Sequence, residues 1–88
     1  MEVRFSRPFE KDLKSVSDKR LVLKVDEIIE SLKEAESLSG ISNIKKIKGH
    51  IDCYRIRIGN YRLGLLVENK TIWLARLMDR KEIYRYFP

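Results

Sequence analysis

Arg55, Arg57 and Arg62 are the residues whose type and spacing point most directly to chemistry. From Asp52 onward, Tyr54, Ile56 and Ile58 alternate with Cys53, Arg55 and Arg57, the period of a strand with one apolar and one wet face. Gly59-Asn60 is a two-residue hairpin signal that opens with Gly, and Tyr61 to Glu68 reads as the return strand. That turn predicts Ile58 opposite Tyr61, Arg57 opposite Arg62, Ile56 opposite Leu63 and Arg55 opposite Gly64. Like charges directly opposite on a sheet are unfavourable by a few tenths of a kcal/mol up to about 1. A chain selected for stability alone would place Thr or Glu across from Arg57. Gly64 weakens its strand and leaves a hollow beside Arg55. Three arginines around a hollow suit a phosphate, because guanidinium donates two parallel hydrogen bonds to its oxygens. A solvated face, pairing with acidic residues elsewhere, and docking of an acidic segment of another protein are the competing readings.

Other cations extend this surface. Lys45, Lys46 and Lys48 precede the hairpin, and Arg76, Arg80, Lys81 and Arg85 follow it. Residues 1–40 are close to neutral, with 8 Lys+Arg against 9 Asp+Glu, whereas residues 41–88 hold 11 against 4. The formal net charge of +6 thus comes from the second half, as a polyanion or acidic partner would favour. Tyr84 lies four residues after Arg80, so a terminal helix would put both on one face. There the ring can stack on a base or lock the helix down, and Tyr86 and Phe87 read more readily as such hydrophobic locks. His50 is the only histidine and Cys53 the only cysteine, so no metal site, disulfide or redox pair is expected. Cys53 reads as a small apolar filler.

The elements that must position these groups fit one domain spanning residues 1–88. Glu2 to Ser6 reads as a first strand. Pro8 suits the first turn of a helix capped by Ser6 or Arg7, whose face is Phe9, Leu13 and Val16. Ser17 or Asp18 caps a second helix carrying the stripe Leu21, Val25, Ile28, Ile29, Leu32 and Ala35. The two form a helical hairpin. Ser37 to Asn43 is a loop. Ile44 to Gly49 is either a short edge strand or an extended basic loop. Asn69-Lys70 is a weaker turn before a strand from Thr71 to Met78. Pairing through it places Trp73, Ala75 and Leu77 on the arginine face and Arg76 on the helix side. Asp79 to Phe87 is a short terminal helix or turn. The fold class is α+β: strand, helical hairpin, then an antiparallel sheet of about three more strands and a short C-terminal helix. No apolar stretch is long enough to cross a bilayer, and the N-terminus lacks a signal pattern, so a cytoplasmic location is expected.

This order of elements resembles the RelE/ParE toxins of bacterial toxin–antitoxin pairs over nearly the whole chain. The resemblance is densest in Ile47-Lys48-Gly49, in Asp52 to Leu63 with its Tyr-Arg-x-Arg-x-Gly-x-Tyr-Arg pattern, and in Asp79 to Tyr84. It implies a RelE-like, microbial-ribonuclease-like fold. RelE-type members cut messenger RNA on the ribosome without a metal or cofactor, the RNA's own 2′-hydroxyl attacking the adjacent phosphate. The resemblance assigns Arg55 and Arg57 to two basic strand positions that are lysines in RelE. It assigns Arg62 to phosphate holding, Arg80 to phosphate or leaving-group work, and Tyr84 to stacking on or orienting the substrate. Lys45, Lys46, Lys48 and Arg85 are expected to contact RNA. Arginine does not give up its proton, and Asp79 stands where many relatives carry His. Asp79, Glu82 and His50 remain the candidates for a base.

The expected function is therefore a ribosome-dependent endoribonuclease toxin that inhibits translation. The alternatives are a ParE-like inhibitor of DNA gyrase without nuclease activity, and a catalytically weak relative that only binds its antitoxin. Each implies a cognate antitoxin, expected to lay an amphipathic helix in a groove between helices and sheet. The first also implies the ribosome and mRNA as partners. None implies a membrane.

Overall fold

A computed structural model describes residues 1–88. Chain order is β1 (Glu2–Phe5), α1 (Arg7–Lys14), α2 (Lys19–Glu34), a 3-10 turn at Leu38–Gly40, β2 (Ile44–Lys46), β3 (Cys53–Ile58), β4 (Tyr61–Glu68), β5 (Thr71–Asp79) and α3 (Ile83–Tyr86). The five strands form one sheet in the order β1-β5-β4-β3-β2. Only β1 runs parallel to its neighbour, β5. Ile44 to Gly49 thus begins as an edge strand, Lys45 facing Arg55 across the ladder. The sheet has four strands after the first, one more than the hairpin and its successor require.

Local sequence explains where the helices start. The Ser6 hydroxyl accepts from the Phe9 N–H at 3.2 Å and donates to the Ala75 carbonyl at 2.9 Å. It therefore caps α1 and ties that end to β5. Asp18 caps α2 by accepting from the Arg20 N–H at 2.9 Å. The far end of α2 is closed by the Met1 ammonium, which donates to the carbonyls of Leu32, Lys33 and Ala35 at 3.3, 3.0 and 2.6 Å, a cation where the helix dipole favours one. α1 packs chiefly along β5.

The main core lies between the helices and one sheet face. It joins Phe9, Leu21, Val25, Ile29 and Leu32 to Ile56, Ile58, Leu63, Leu65, Ile72, Leu74 and Leu77. The predicted stripe of α2 supplies four of these, and the alternation of β3 and β4 supplies the sheet side. Their removal from water is the main force holding the layers together.

A second, smaller cluster lies on the opposite face. Cys53, Ile83 and Phe87 are buried there, with Ile47, Leu66, Ala75 and Met78 packed against them. The C-terminal segment folds across the arginine-bearing face and covers its middle.

Two expectations about this face change. Between Gly64 and Leu65 the β4–β5 ladder shifts: Gly64 pairs with Arg76, but Leu65 pairs with Leu74, leaving Ala75 as an extra residue. This bulge moves Leu77 into the main core, the reverse of its predicted parity, and sets the Arg76 backbone opposite Gly64, from where its side chain still reaches Asp12 of α1. Trp73 and Ala75 do lie on the arginine face. Asn69 and Lys70 both have positive φ, 47° and 64°, the conformation of a type I′ hairpin turn. That turn is as tight as the Gly59-Asn60 one, so the bulge, not a loose turn, resets the register.

Candidate functional site

The β3–β4 hairpin has the register its turn predicts. Arg57 pairs with Arg62, Ile56 with Leu63, Ile58 with Tyr61 and Arg55 with Gly64. Gly59 takes φ +59° while Asn60 keeps a negative φ, as a turn opening on Gly requires. Arg55, Arg57 and Arg62 therefore share one sheet face. Arg55 and Arg62 are half-buried and Arg57 is exposed.

The hollow beside Arg55 is not open. A Cβ at Gly64 would lie 2.5, 2.8 and 2.9 Å from ring carbons of Phe87. Gly64 is small because an aromatic ring rests on its backbone, which is the close approach that glycine in a strand often marks. The arginines thus line the hairpin end of the face, beyond the Phe87 ring, and do not surround an empty pocket.

Arg62 is the centre of this group. Its guanidinium donates to the carbonyls of Gly59 at 2.9 Å and Tyr61 at 3.0 Å, which folds it back over its own turn. Burial pushes Arg62 below the usual arginine range. The charges of Arg55, Arg57 and Arg80 push the same way, and Tyr84 opposes them. The other four side chains predicted as catalytic are thus within electrostatic reach of Arg62. At neutral pH Arg62 nonetheless stays protonated.

None of the four arginines takes part in an ion pair, since the pairs in the chain are Arg4–Glu2, Lys33–Glu30, Arg76–Asp12 and Arg85–Glu82. Internal pairing with acidic residues is therefore excluded for the cluster. Arg80 and Tyr84 do not share a helical face, because α3 begins only at Ile83. Instead the Arg80 N–H donates to the Asn60 carbonyl at 2.8 Å, so the hairpin turn itself holds the start of the C-terminal segment. Tyr84 is 56% exposed; Ile83 and Phe87, not Tyr84, lock the segment to the sheet.

The remaining cations separate. Lys45 lies on the arginine face, opposite Arg55, whereas Lys46 pairs with Tyr54 on the helix side. Lys48 lies in the turn after β2, and Arg85 is held by Glu82 at 3.7 Å. Arg76 is occupied: its Nε and Nη2 donate to Asp12 at 2.8 and 3.0 Å, and its guanidinium lies 5.4 Å from the centre of the Tyr86 ring. Hydrogen bonding to Asp12 pushes Arg76 above the usual arginine range, against its burial. Asp12 also accepts from the Leu77 N–H at 2.9 Å, a contact that sequence alone did not suggest. Burial, then Asp52, pushes the Cys53 thiol up, so it stays protonated as an apolar filler.

The base candidates lie outside the cluster. Asp79 pairs with Tyr61, on the helix side, and accepts from the Lys81 N–H at 2.8 Å. Glu82 holds Arg85, and His50 is exposed in the turn before β3. The site can therefore bind an anion, hold a phosphate and stabilise added negative charge, with an exposed aromatic ring beside it. No group of three or more His, Cys, Asp or Glu is placed to hold a metal, and no helix is long and apolar enough to cross a membrane.

Known proteins share this arrangement. The family model described as ParE toxin of type II toxin-antitoxin system, parDE, matches residues 3–84. Toxin RelE3 of Methanocaldococcus jannaschii is 47% identical over 92 aligned positions, covering 100% of both chains. Putative toxin RelE1 of the same organism is 32% identical over 77, covering 85% of this chain and 84% of that one. The crystal structure of the RelB-RelE antitoxin-toxin complex from Methanococcus jannaschii superposes with a TM-score of 0.83 at 44% identity, covering 97% of this chain and 99% of that one. The archaeal RelE-RelB complex from Pyrococcus horikoshii OT3 does so with a TM-score of 0.73 at 26% identity, covering 90% and 93%. The strand, paired helices, sheet and basic hairpin read from the residues are thus those of a known group: the chain belongs to the RelE/ParE superfamily of type II toxin–antitoxin toxins and is RelE-like within it.

Proposed function

We propose that this toxin is a metal-independent endoribonuclease that cleaves messenger RNA on the ribosome and so inhibits translation. The observation that carries the reading is the set of four guanidiniums, Arg55, Arg57, Arg62 and Arg80, with no carboxylate partner and with Tyr84 beside them. In the reaction the 2′-oxygen of RNA bonds to the adjacent phosphorus and the bond to the 5′-oxygen breaks. A 2′,3′-cyclic phosphate and a 5′-hydroxyl result. The phosphorus passes through a five-coordinate state with extra negative charge on its oxygens. Preorganised donors aimed at such charge contribute on the order of 10²–10³ in rate each.

Arg62, held by its own turn, receives a phosphate oxygen, and Arg55 and Arg57 neutralise the added charge. Arg80 serves the phosphate or the leaving oxygen, and Tyr84 stacks on or orients the substrate. Because arginine acts neither as a base nor as an acid at neutral pH, the 2′-proton passes to solvent or to a group of the ribosome, and the leaving 5′-oxygen takes its proton from the same sources. This predicts a slow enzyme that depends on its ribosomal setting. Lys45, Lys48 and Arg85 extend the RNA contact. A cognate antitoxin, like RelB in the related complexes, is the protein partner. The groove of about 500 Å³ between α1 and α2, lined by Phe5, Phe9, Leu13 and Ile29, suits an amphipathic helix. The proposed location is the cytoplasm.

Expression without antitoxin, with cut sites mapped in translated messages, tests the reading. Cuts that require translation and vanish in Arg62→Ala are the expected result. Intact messages with stalled replication would instead mark a gyrase inhibitor, a reading kept open by the match to the ParE description.

A further inference from the structure

The segment carrying Arg80 and Tyr84 is too short to hold its own shape. α3 has four residues, well below the length at which a helix persists unaided. It is fixed instead at its two ends. At the start, the Arg80 N–H donates to the Asn60 carbonyl in the hairpin turn at 2.8 Å. At the end, Phe87 is 7% exposed, with its ring against the Gly64 backbone, and its N–H donates to the Ile83 carbonyl at 2.8 Å. Ile83 is fully buried, while Tyr84, next in sequence, projects outward. Both anchors lie on β4 or its turn, the strand that carries Arg62. Where Tyr84 stands relative to Arg62 therefore depends on how Ile83 and Phe87 seat on the sheet.

We infer that Phe87 is a positioning residue: its ring, seated on Gly64, holds the 80–86 segment so that Arg80 and Tyr84 stand against Arg62. This deepens the nuclease reading and rests on it for the activity measurement alone. It also accounts for Gly64, which sits at the centre of a central strand despite its poor strand propensity. Any side chain there would displace the ring.

The test uses the full-length protein with two readouts. In the first, tyrosines carry a fluorine label, and the Tyr84 signal is assigned by Tyr84→Phe. Arg62→Gln is expected to move that signal in the wild-type background and to leave it unmoved in Phe87→Ala. The inference is overturned if the signal responds equally in both backgrounds, or in neither. The second readout is message cleavage on ribosomes. Phe87→Ala, and Gly64→Ala from the sheet side, are each expected to lower kcat about tenfold or more with KM little changed, the pattern of misplaced reacting groups. Phe87→Tyr keeps the ring and should stay close to wild type. Melting curves and antitoxin binding identify any variant that has merely lost its fold, and Phe87→Leu then replaces Phe87→Ala. Equal kcat in well-folded Phe87→Ala or Phe87→Leu and wild type would overturn the catalytic importance of the seat. A wild-type protein that cuts no message would sink the nuclease reading alone, since the fluorine measurement still decides whether Phe87 sets Tyr84 against Arg62.

Discussion

Two arginines on neighbouring strands have opposite surroundings. Arg76 on β5 meets a carboxylate, an aromatic ring and the edge of α1; its side chain is 24% exposed and that of Asp12 is 14%. Arg62 on β4 meets backbone carbonyls and three other arginines. The first arrangement stabilises the fold, because a charge taken partly out of water is matched by hydrogen bonds in good geometry. In the second, Arg62 is held by its own turn, but like charges gathered without carboxylate partners are costly, which is the arrangement the proposed phosphate contact would use. Charge and composition make the two arginines look alike, and only their neighbours separate the paired one from the one proposed to bind.

That contrast is broken most directly by truncating each arginine. Arg62→Ala should lower message cleavage at least about 10²-fold while thermal stability stays within about 0.5 kcal/mol. A melting point that fell along with activity would place Arg62 among the supports. Arg76→Ala should do the reverse. Losing a charge-assisted, bidentate pair and leaving Asp12 half-buried should cost about 2 kcal/mol, roughly 10 °C in Tm for a chain of this size. Asp12→Ala should match it, and the double variant should show strong coupling.

Smaller effects sharpen the picture. Lys45 shares the arginine face and Lys46 does not. Lys45→Ala should therefore reduce the salt dependence of ribosome binding by about one phosphate contact, and Lys46→Ala should leave it unchanged. Equal slopes in titrations at several salt concentrations would show that the anion extends beyond the predicted face. The smallest effect is on stability. Arg57→Thr removes a repulsion across the ladder and should raise stability by a few tenths of a kcal/mol, up to about 1, while weakening toxicity. A destabilised Arg57→Thr variant would mean that the cluster pays its way in the folded chain after all.

Much of the arrangement was legible in the residues because it is local. The Gly59-Asn60 turn and the period-two alternation of β3 settle which arginines share a face. The stripe of α2 and the caps at Ser6 and Asp18 place the helices. Family membership was legible for the same reason, since the Tyr-Arg-x-Arg-x-Gly-x-Tyr-Arg pattern lies within one hairpin. Less visible were the parallel pairing of β1 with β5 and the full count of strands, which depend on partners far apart in the chain.

By itself, then, the sequence determined the hairpin register, the face shared by Arg55, Arg57 and Arg62, and the α+β order of elements, because turn geometry and side-chain alternation act over a few residues. Tertiary structure alone decided that Phe87 fills the space over Gly64, that Ala75 bulges and turns Arg76 toward Asp12, and that Arg80 and Tyr84 stand near Arg62. Those outcomes depend on which distant surface a short segment finds when it leaves water, and no local spacing encodes that choice.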